Sequence, residues 1–136
     1  MGAEQVVERF GLTSGNLVLE VGLGDDCDQE LREAVQSSIG STFVEDQANE
    51  VVDAVLVWWR EDDGDLVDEL VDALTFLTEN GPIWLLTPKA GREGHVEPSD
   101  IQDAVPVAGL SQTISFAAGA DWTATKLVAR KNSGKK

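Results

Sequence analysis

Residues 54–59 read Ala-Val-Leu-Val-Trp-Trp, residues 83–86 read Ile-Trp-Leu-Leu, and a segment with helical periodicity lies between them. An apolar run without alternation is typical of a strand that is buried on both faces. Between the two runs, apolar side chains recur every three or four residues, which predicts a helix over 66–79 that Asn80-Gly81-Pro82 terminates. This strand, helix and strand predict an α/β fold with parallel strands.

The residues before this unit repeat the same order of elements. Residues 17–21 predict a short buried strand that ends at the Gly22-Leu23-Gly24 turn. A helix is predicted next, because apolar residues keep helical spacing between Asp28, a suitable N-cap, and Gly40, a suitable terminator. The N-terminal residues have helical spacing as well, and Gly11 marks the end of that helix.

The remaining segments complete the predicted fold. Residues 42–44 favour a short strand and residues 47–52 a helical turn. Ser99 and Gln102 fit a capping box, which predicts a short helix that stops near Pro106. Two runs rich in Thr, Ile, Val and aromatic residues then predict a β-hairpin, at 110–117 and 122–129. We therefore expect an α/β, three-layer, mostly parallel Rossmann-like sheet with a C-terminal antiparallel hairpin.

The charge of the chain excludes one class of partner. Its 136 residues include 25 acidic and 10 basic side chains, for a formal net charge of −15. Five of the basic residues lie in the last eleven positions, so residues 1–125 carry −20. A domain with this charge repels the phosphates of nucleic acids, so no nucleic-acid partner is expected. The length and hydrophobic content fit one domain at 1–130, and residues 131–136 are expected to be a disordered basic tail.

The cysteine content and the hydropathy of the chain indicate the cellular compartment in which the protein is expected. Cys27 is the single cysteine, so no disulfide can form within the chain. Its acidic neighbours disfavour the thiolate, and an inert thiol is expected. No apolar run approaches the ~18 residues of a membrane span, and the N-terminus lacks the basic-then-apolar order of a signal peptide. These features predict a cytoplasmic protein with no membrane partner.

The first predicted strand ends in Glu20-Val21-Gly22-Leu23-Gly24. Here the chain resembles a class I S-adenosylmethionine methyltransferase, in which an E-x-G-x-G strand end precedes a helix and the glycines let the backbone approach the cofactor. Residues 54–86 look like that family's fourth strand, helix and fifth strand, and residues 110–130 look like its final hairpin. The resemblance implies S-adenosylmethionine as a cofactor held near Glu20, Gly22 and Gly24.

Several features depart from the methyltransferase pattern. Asp25 and Asp26 stand where that family usually keeps a small residue, and their charged side chains would crowd a cofactor. The stretch before the strand at 54 is too short for the usual two further strands, and Glu45 or Asp46 is the only candidate for the ribose-binding acid. Residues 60–63 read Arg-Glu-Asp-Asp in place of Asn-Pro-Pro-aromatic. These departures favour a shortened, non-catalytic domain of that fold.

A second resemblance covers almost the whole chain. Residues 51–74, residues 83–101 (IWLLTPKAGREGHVEPSDI) and residues 108–113 (AGLSQT) resemble a family of small acidic actinobacterial proteins that is catalogued as a domain of unknown function. The resemblance implies one domain in a bacterial cytoplasm and no assigned activity.

A ligand or partner site is expected at one edge of the sheet. In an open α/β sheet, ligands bind beyond the carboxyl ends of the parallel strands. Three loops are predicted to meet there, at 22–28, 60–65 and 87–99. The first two loops are acidic, and the third holds three of the few cationic or potentially cationic groups outside the tail: Lys89, Arg92 and His95.

Three hypotheses account for these loops. In the first, the basic loop folds over the acidic loops as a latch of ion pairs, each contributing about 0–1 kcal/mol. In the second, the cations of the basic loop contact an anionic ligand or an acidic partner segment. In the third, carboxylates bind a hard divalent cation. No metal is the favoured expectation, and the weak candidate ligands are Asp25, Asp26 and Asp28.

No catalytic residue is predicted, because the chain has one His and no recognisable nucleophile motif. The tryptophans are assigned mainly to the core. Alternation sends Trp58 and Trp59 to opposite faces of the sheet, so that one of them packs beneath the helix at 66–79. Trp122, at the start of the last strand, is expected to be partly exposed.

The leading hypothesis is therefore a non-enzymatic regulatory or protein-interaction domain without a cofactor, which contacts a protein partner through the 87–98 loop and the acidic face. Acidic surfaces attract basic partners at a salt-dependent rate. One alternative is a small S-adenosylmethionine-dependent methyltransferase. The other is a sensor of a small anion or ligand that forms a homodimer through the hairpin edge or the N-terminal helix.

Overall fold

The computed structural model describes residues 3–44, 51–78, 81–119 and 121–129. Within these ranges, no helix is long and apolar enough to cross a membrane. The helices and strands follow in the order α1 Ala3–Phe10, β1 Val18–Val21, α2 Gln29–Ile39, β2 Ala54–Trp58, α3 Leu66–Leu74, β3 Ile83–Pro88, α4 Pro98–Val107, β4 Leu110–Ala117 and β5 Trp122–Ala129, with a 3₁₀ turn at Glu61–Asp63.

The strands form one sheet in the order β1-β2-β3-β5-β4. β1, β2 and β3 are parallel, with Val18 opposite Ala54 and Val55 opposite Ile83. β5 runs antiparallel to both β3 and β4. The predicted α/β sheet with parallel first strands and a C-terminal antiparallel hairpin is confirmed.

The helices cover the two faces of the sheet. Side chains of α1 and α2 pack with one set of strand residues, which includes Trp58 and Trp84. Side chains of α3 and α4 pack with the other set, which includes Val57 and Trp59. Trp58 and Trp59 therefore lie on opposite faces, and Trp59 packs with Leu66 of α3, as alternation predicts.

The capping signals of α2 are confirmed. The Asp28 side chain accepts a hydrogen bond from the Leu31 N–H, which satisfies a free donor at the start of the helix. Gly40 adopts a left-handed conformation with φ of 80°, and its N–H donates to the Gln36 carbonyl.

The predicted end of α3 is wrong. The helix stops at Leu74, well before Asn80-Gly81-Pro82. The chain turns here because its backbone pairs with Val52: the Val52 N–H donates to the Phe76 carbonyl at 2.7 Å, and the Thr78 N–H donates to the Val52 carbonyl at 2.9 Å. This long-range pairing outcompetes the helical periodicity that continues through Leu77.

Two further predictions in the C-terminal half need correction: the start of α4 and the exposure of Trp122. α4 begins at Pro98 with Glu97 as N-cap, so the Ser99–Gln102 capping box does not form. Proline is suited to the first turn because its missing N–H has no partner there in any helix. The helix ends at Val107, in agreement with the predicted stop near Pro106. Trp122 is 2% exposed, not partly exposed, because it packs edge-on against Trp58 with ring centroids 4.8 Å apart.

Some predicted features lie partly or wholly outside the described residues. These are most of the helical turn at 47–52, the candidate acids Glu45 and Asp46, and the tail at 131–136. In the predicted strand at 42–44, Val44 forms a single parallel bridge with Leu19.

Candidate functional site

The carboxyl ends of β1, β2 and β3 lie at one edge of the sheet because the three strands are parallel. The loops that follow them contact one another there. Arg60, directly after β2, pairs with Asp26 in the loop after β1, and the Glu61 N–H donates to the Gly94 carbonyl at 3.0 Å. The three loops meet as predicted.

The turn after β1 brings two strands into very close contact. Gly22 has φ of +84°, and a Cβ atom at this position would lie 2.3 Å from the carbonyl oxygen of Trp58. A residue with a side chain is therefore excluded both by conformation and by space. In this protein, the first glycine of the E-x-G-x-G pattern permits the close approach of the β1 turn to the end of β2.

Arg60 fills the space beside this turn. Its Nη1 donates to the Gly22 carbonyl at 2.7 Å and to the Trp58 carbonyl at 3.2 Å. Its Nε donates to Asp26 Oδ2 at 3.0 Å, and its Nη2 donates to the other oxygen of the same carboxylate. The guanidinium carbon lies 5.3 Å from the centre of the Trp122 ring, a distance that suits a cation–π contact. The side chain is 16% exposed.

The electrostatics of this cluster favour the ionised pair. The hydrogen bond from Arg60 lowers the pKa of Asp26. The same hydrogen bond raises the pKa of Arg60. Burial is the main reason that the pKa of the Cys27 thiol is raised, and the thiol is therefore protonated and poorly nucleophilic near neutral pH. Arg60 thus holds the site as a cation whose charge is already paired.

Glu20 is committed to contacts within the protein. One of its oxygens accepts hydrogen bonds from Arg32 Nε at 2.5 Å and from Trp58 Nε1 at 2.9 Å. The other oxygen accepts from Arg32 Nη2 at 2.8 Å. Glu20 raises the pKa of Arg32 through these hydrogen bonds. The Glu20 side chain is 6% exposed. Because its carboxylate accepts from Arg32 of α2 and from Trp58 of β2, it links these two elements.

Gly24, the last of the candidate cofactor-binding residues, faces the same cluster. A Cβ atom at Gly24 would lie 3.0 Å from both Arg60 Nη2 and Asp26 Oδ1. Its N–H donates to the Cys27 sulfur at 3.3 Å. The side chains of Arg60 and Asp26 therefore occupy the space directly beside Gly24.

The three aspartates that are weak candidate metal ligands differ in their contacts. Asp25 is exposed, Asp26 binds Arg60, and Asp28 caps α2. Across the described ranges, no group of three or more His, Cys, Asp and Glu side chains is arranged to hold a metal ion.

The basic loop contacts the hairpin turn and its own residues. Lys89 Nζ donates to the Gly119 carbonyl at 2.9 Å, and Arg92 pairs with Asp121 at 2.5 Å. His95 Nδ1 lies 2.9 Å from the Pro88 carbonyl, and its Nε2 lies 3.2 Å from a Glu97 oxygen. These side chains therefore hold the loop in place, although their partners are not the acidic loops of the latch hypothesis.

Sequence reasoning missed Arg60 and Glu69. Arg60 is one of five basic residues in positions 1–125 and follows a buried strand directly, and this position was the available signal. Glu69 lines a shallow pocket of about 310 Å³ between the ends of β1 and β2. Burial raises its pKa. Nothing in the helical pattern around Glu69 distinguishes it from the other acids of α3.

The fold resembles the Rossmann-like fold of S-adenosylmethionine methyltransferases. The glycopeptide N-methyltransferase MtfA aligns with a TM-score of 0.64 and 12% identity over 94% of both chains. A SAM-dependent methyltransferase from Aquifex aeolicus aligns with a TM-score of 0.59 and 14% identity, over 94% of this chain and 89% of that chain. At these identities the likeness shows the fold alone.

The chain belongs to the family described as "Protein of unknown function (DUF3052)", which matches residues 7–131. Uncharacterized proteins of Mycobacterium bovis and Mycobacterium tuberculosis are each 42% identical to it over 130 residues, or 96% of this chain and 82% of theirs. The resemblance to a family of unknown function with a methyltransferase-like core is confirmed.

Proposed function

We propose that this chain is a non-enzymatic protein-interaction domain that retains the methyltransferase fold without its cofactor site. The observation that carries the proposal is the position of Arg60. Its guanidinium occupies the space against Gly22 and Gly24 and is held by two carbonyl oxygens and the Asp26 carboxylate. A cofactor bound at this turn would have to displace all of these contacts and leave Asp26 unpaired.

A titration with S-adenosylmethionine tests the first half of the proposal. We expect no heat of binding and no shift of the melting temperature at millimolar cofactor, because the charge-assisted hydrogen bonds of Arg60 close the site. A methyltransferase of known activity serves as the positive control. Saturable binding by the wild-type chain would show that Arg60 moves aside, and the enzymatic alternative would replace this proposal.

A groove between α1 and α2 is the proposed partner surface. It has a volume of about 770 Å³, and Val7, Leu12 and Ala34 form its apolar part. Exposed glutamates at the rim come from both helices, and the described lining residues include no Lys or Arg: Glu8, Glu30 and Glu33. A groove that combines apolar side chains with acidic ones fits an amphipathic basic segment of a partner protein.

The Lys89–His95 loop is the less suitable surface of the two considered from the sequence. The side chains of Lys89, Arg92 and His95 each already have a partner on the loop or on the hairpin turn. An acidic partner segment would need to exchange these contacts for its own. The groove glutamates offer charge without such a cost, and the net charge of −15 steers a basic partner toward them.

A synthetic amphipathic helix with Leu at helical spacing and Lys elsewhere tests the groove. We expect the double variant Glu8→Lys/Glu33→Lys to weaken binding about 10-fold, because two rim ion pairs of about 0.5–1 kcal/mol each are replaced by repulsion. Fluorescence anisotropy of a labelled peptide measures the affinity. The affinity of the wild-type chain for the peptide should fall as the salt concentration is raised.

The matched control changes the same charge on the other face of the sheet. Asp72→Lys/Asp103→Lys alters two exposed acids of α3 and α4 by the same net amount. This control should keep nearly the wild-type affinity. Equal weakening by both double variants would mean that the peptide responds only to net charge, and the groove would not be the partner surface.

A further inference from the structure

The β4 strand forms one edge of the sheet. β5 pairs with one side of it, and no described strand pairs with the other side. Gln112, Thr113, Ile114 and Ser115 in its centre are all exposed. An edge strand presents a row of backbone N–H and C=O groups to any chain that can lie beside it.

This edge belongs to the longest uncharged stretch of a highly charged chain. The residues from Ala104 to Ala120 include no Asp, Glu, Lys or Arg. Among the residues whose side chains the structure describes, two of the five large hydrophobic side chains that are exposed lie in this stretch: Ile114 is 49% exposed and Val107 is 73% exposed. All 25 acidic and all 10 basic residues of the chain lie outside this stretch.

Natural edge strands are usually protected by charges, by proline or by a bulge. β4 has neither a charged residue nor a proline between Leu110 and Ala117. It has an irregular register between Gln112 and Ser115, which places Thr113 and Ile114 opposite Lys126. A bulge alone bends the strand, but it leaves the backbone groups on both sides of the bend available for pairing.

We propose that β4 is a homodimer interface, at which the β4 strands of two copies pair antiparallel about a two-fold axis near Thr113–Ile114. Two copies that each carry −15 repel over most of their surfaces. They meet at low electrostatic cost only through an uncharged segment. An antiparallel pair of identical strands is self-complementary, as a two-fold interface requires, and it places the exposed Ile114 side chains close to each other.

Sedimentation equilibrium of the full chain over a range of concentrations tests the interface. We expect wild-type dimers, and we expect Ile114→Lys to raise the dissociation constant about 100-fold because it sets two like charges beside the axis. Val71→Lys is the matched control, since Val71 is 43% exposed and lies on α3. The control should dimerise like the wild type, although it changes the net charge equally.

Hydrogen exchange of the wild-type protein provides a test that depends on no variant. The amides of β4 on both sides of the bulge at Gln112–Ser115 should become more protected as protein concentration rises, whereas those of β1 should not change. A wild-type chain that stays monomeric at every concentration would overturn the proposal. A dimer that survives Ile114→Lys, or one without concentration-dependent protection in β4, would overturn it as well.

Discussion

Replacing Glu20 with Ala is expected to lower the free energy of unfolding by about 3–5 kcal/mol, because it removes one partner of a largely buried ion pair. Arg32 would lose both of its hydrogen bonds to the carboxylate, and Trp58 Nε1 would lose its acceptor. Trp58 is 0% exposed, so water cannot readily replace that acceptor. The cost of leaving these donors unpaired exceeds the modest net value of the bonds themselves.

Urea unfolding followed by tryptophan fluorescence measures this effect. Glu33→Ala on the exposed face of α2 is the control and should change stability by less than about 0.5 kcal/mol. Glu20→Gln should lose less than Glu20→Ala, because its amide oxygen can still accept from Trp58. A loss below about 1 kcal/mol for Glu20→Ala would contradict a structural role for the carboxylate.

Gly22→Ala is expected to cost about 2–4 kcal/mol, from a left-handed backbone conformation and from steric overlap together. The new Cβ would lie 2.3 Å from the Trp58 carbonyl oxygen, which is backbone and cannot rotate away. β1 and β2 would have to separate at their carboxyl ends. Such a shift would also disturb the hydrogen bonds from Arg60 to Gly22 and Trp58.

Two other glycines separate these contributions. Gly15 has φ of +94°, and a Cβ atom added there would have no atom within 4 Å, so Gly15→Ala reports the conformational strain alone. Gly24 has no left-handed strain, and its added Cβ would meet only the ends of the Arg60 and Asp26 side chains. We expect the order of destabilisation Gly22→Ala, then Gly15→Ala, then Gly24→Ala. Equal effects at Gly15 and Gly22 would show that β1 and β2 separate without cost.

The predictions from the sequence are correct mainly where a structural element depends on contacts between residues close in the chain. The cap at Asp28, the terminator at Gly40 and the hairpin at 110–129 depend on residues close in the chain. The prediction for α3 failed because the competing partner of residues 76–78 is Val52, which lies far away in the sequence. Trp122 was misjudged for the same reason, since Trp58 covers it from another strand.

The sequence predicted where the candidate site lies, but it did not predict how the side chains of the site contact one another. Parallel strands bring their following loops together, so the sequence was enough to locate the site at the loops after β1, β2 and β3. It could not show that Arg60 would turn back over β1, because that position depends on the Gly22 and Trp58 carbonyls and on Asp26 at once. It also assigned Lys89 and Arg92 to the wrong neighbours within the latch hypothesis.

The sequence by itself determined the α/β class, the order of most elements and the strongly acidic composition. Hydrophobic periodicity and charge can be read directly from the order of the residues. Only the tertiary structure decided what the Glu20-Val21-Gly22-Leu23-Gly24 segment does in this protein. The same glycines that suit a cofactor also suit the close approach of two strands and a guanidinium. Which of these occupies the turn depends on long-range contacts between β1, β2 and β5, and these contacts form only when the chain has folded.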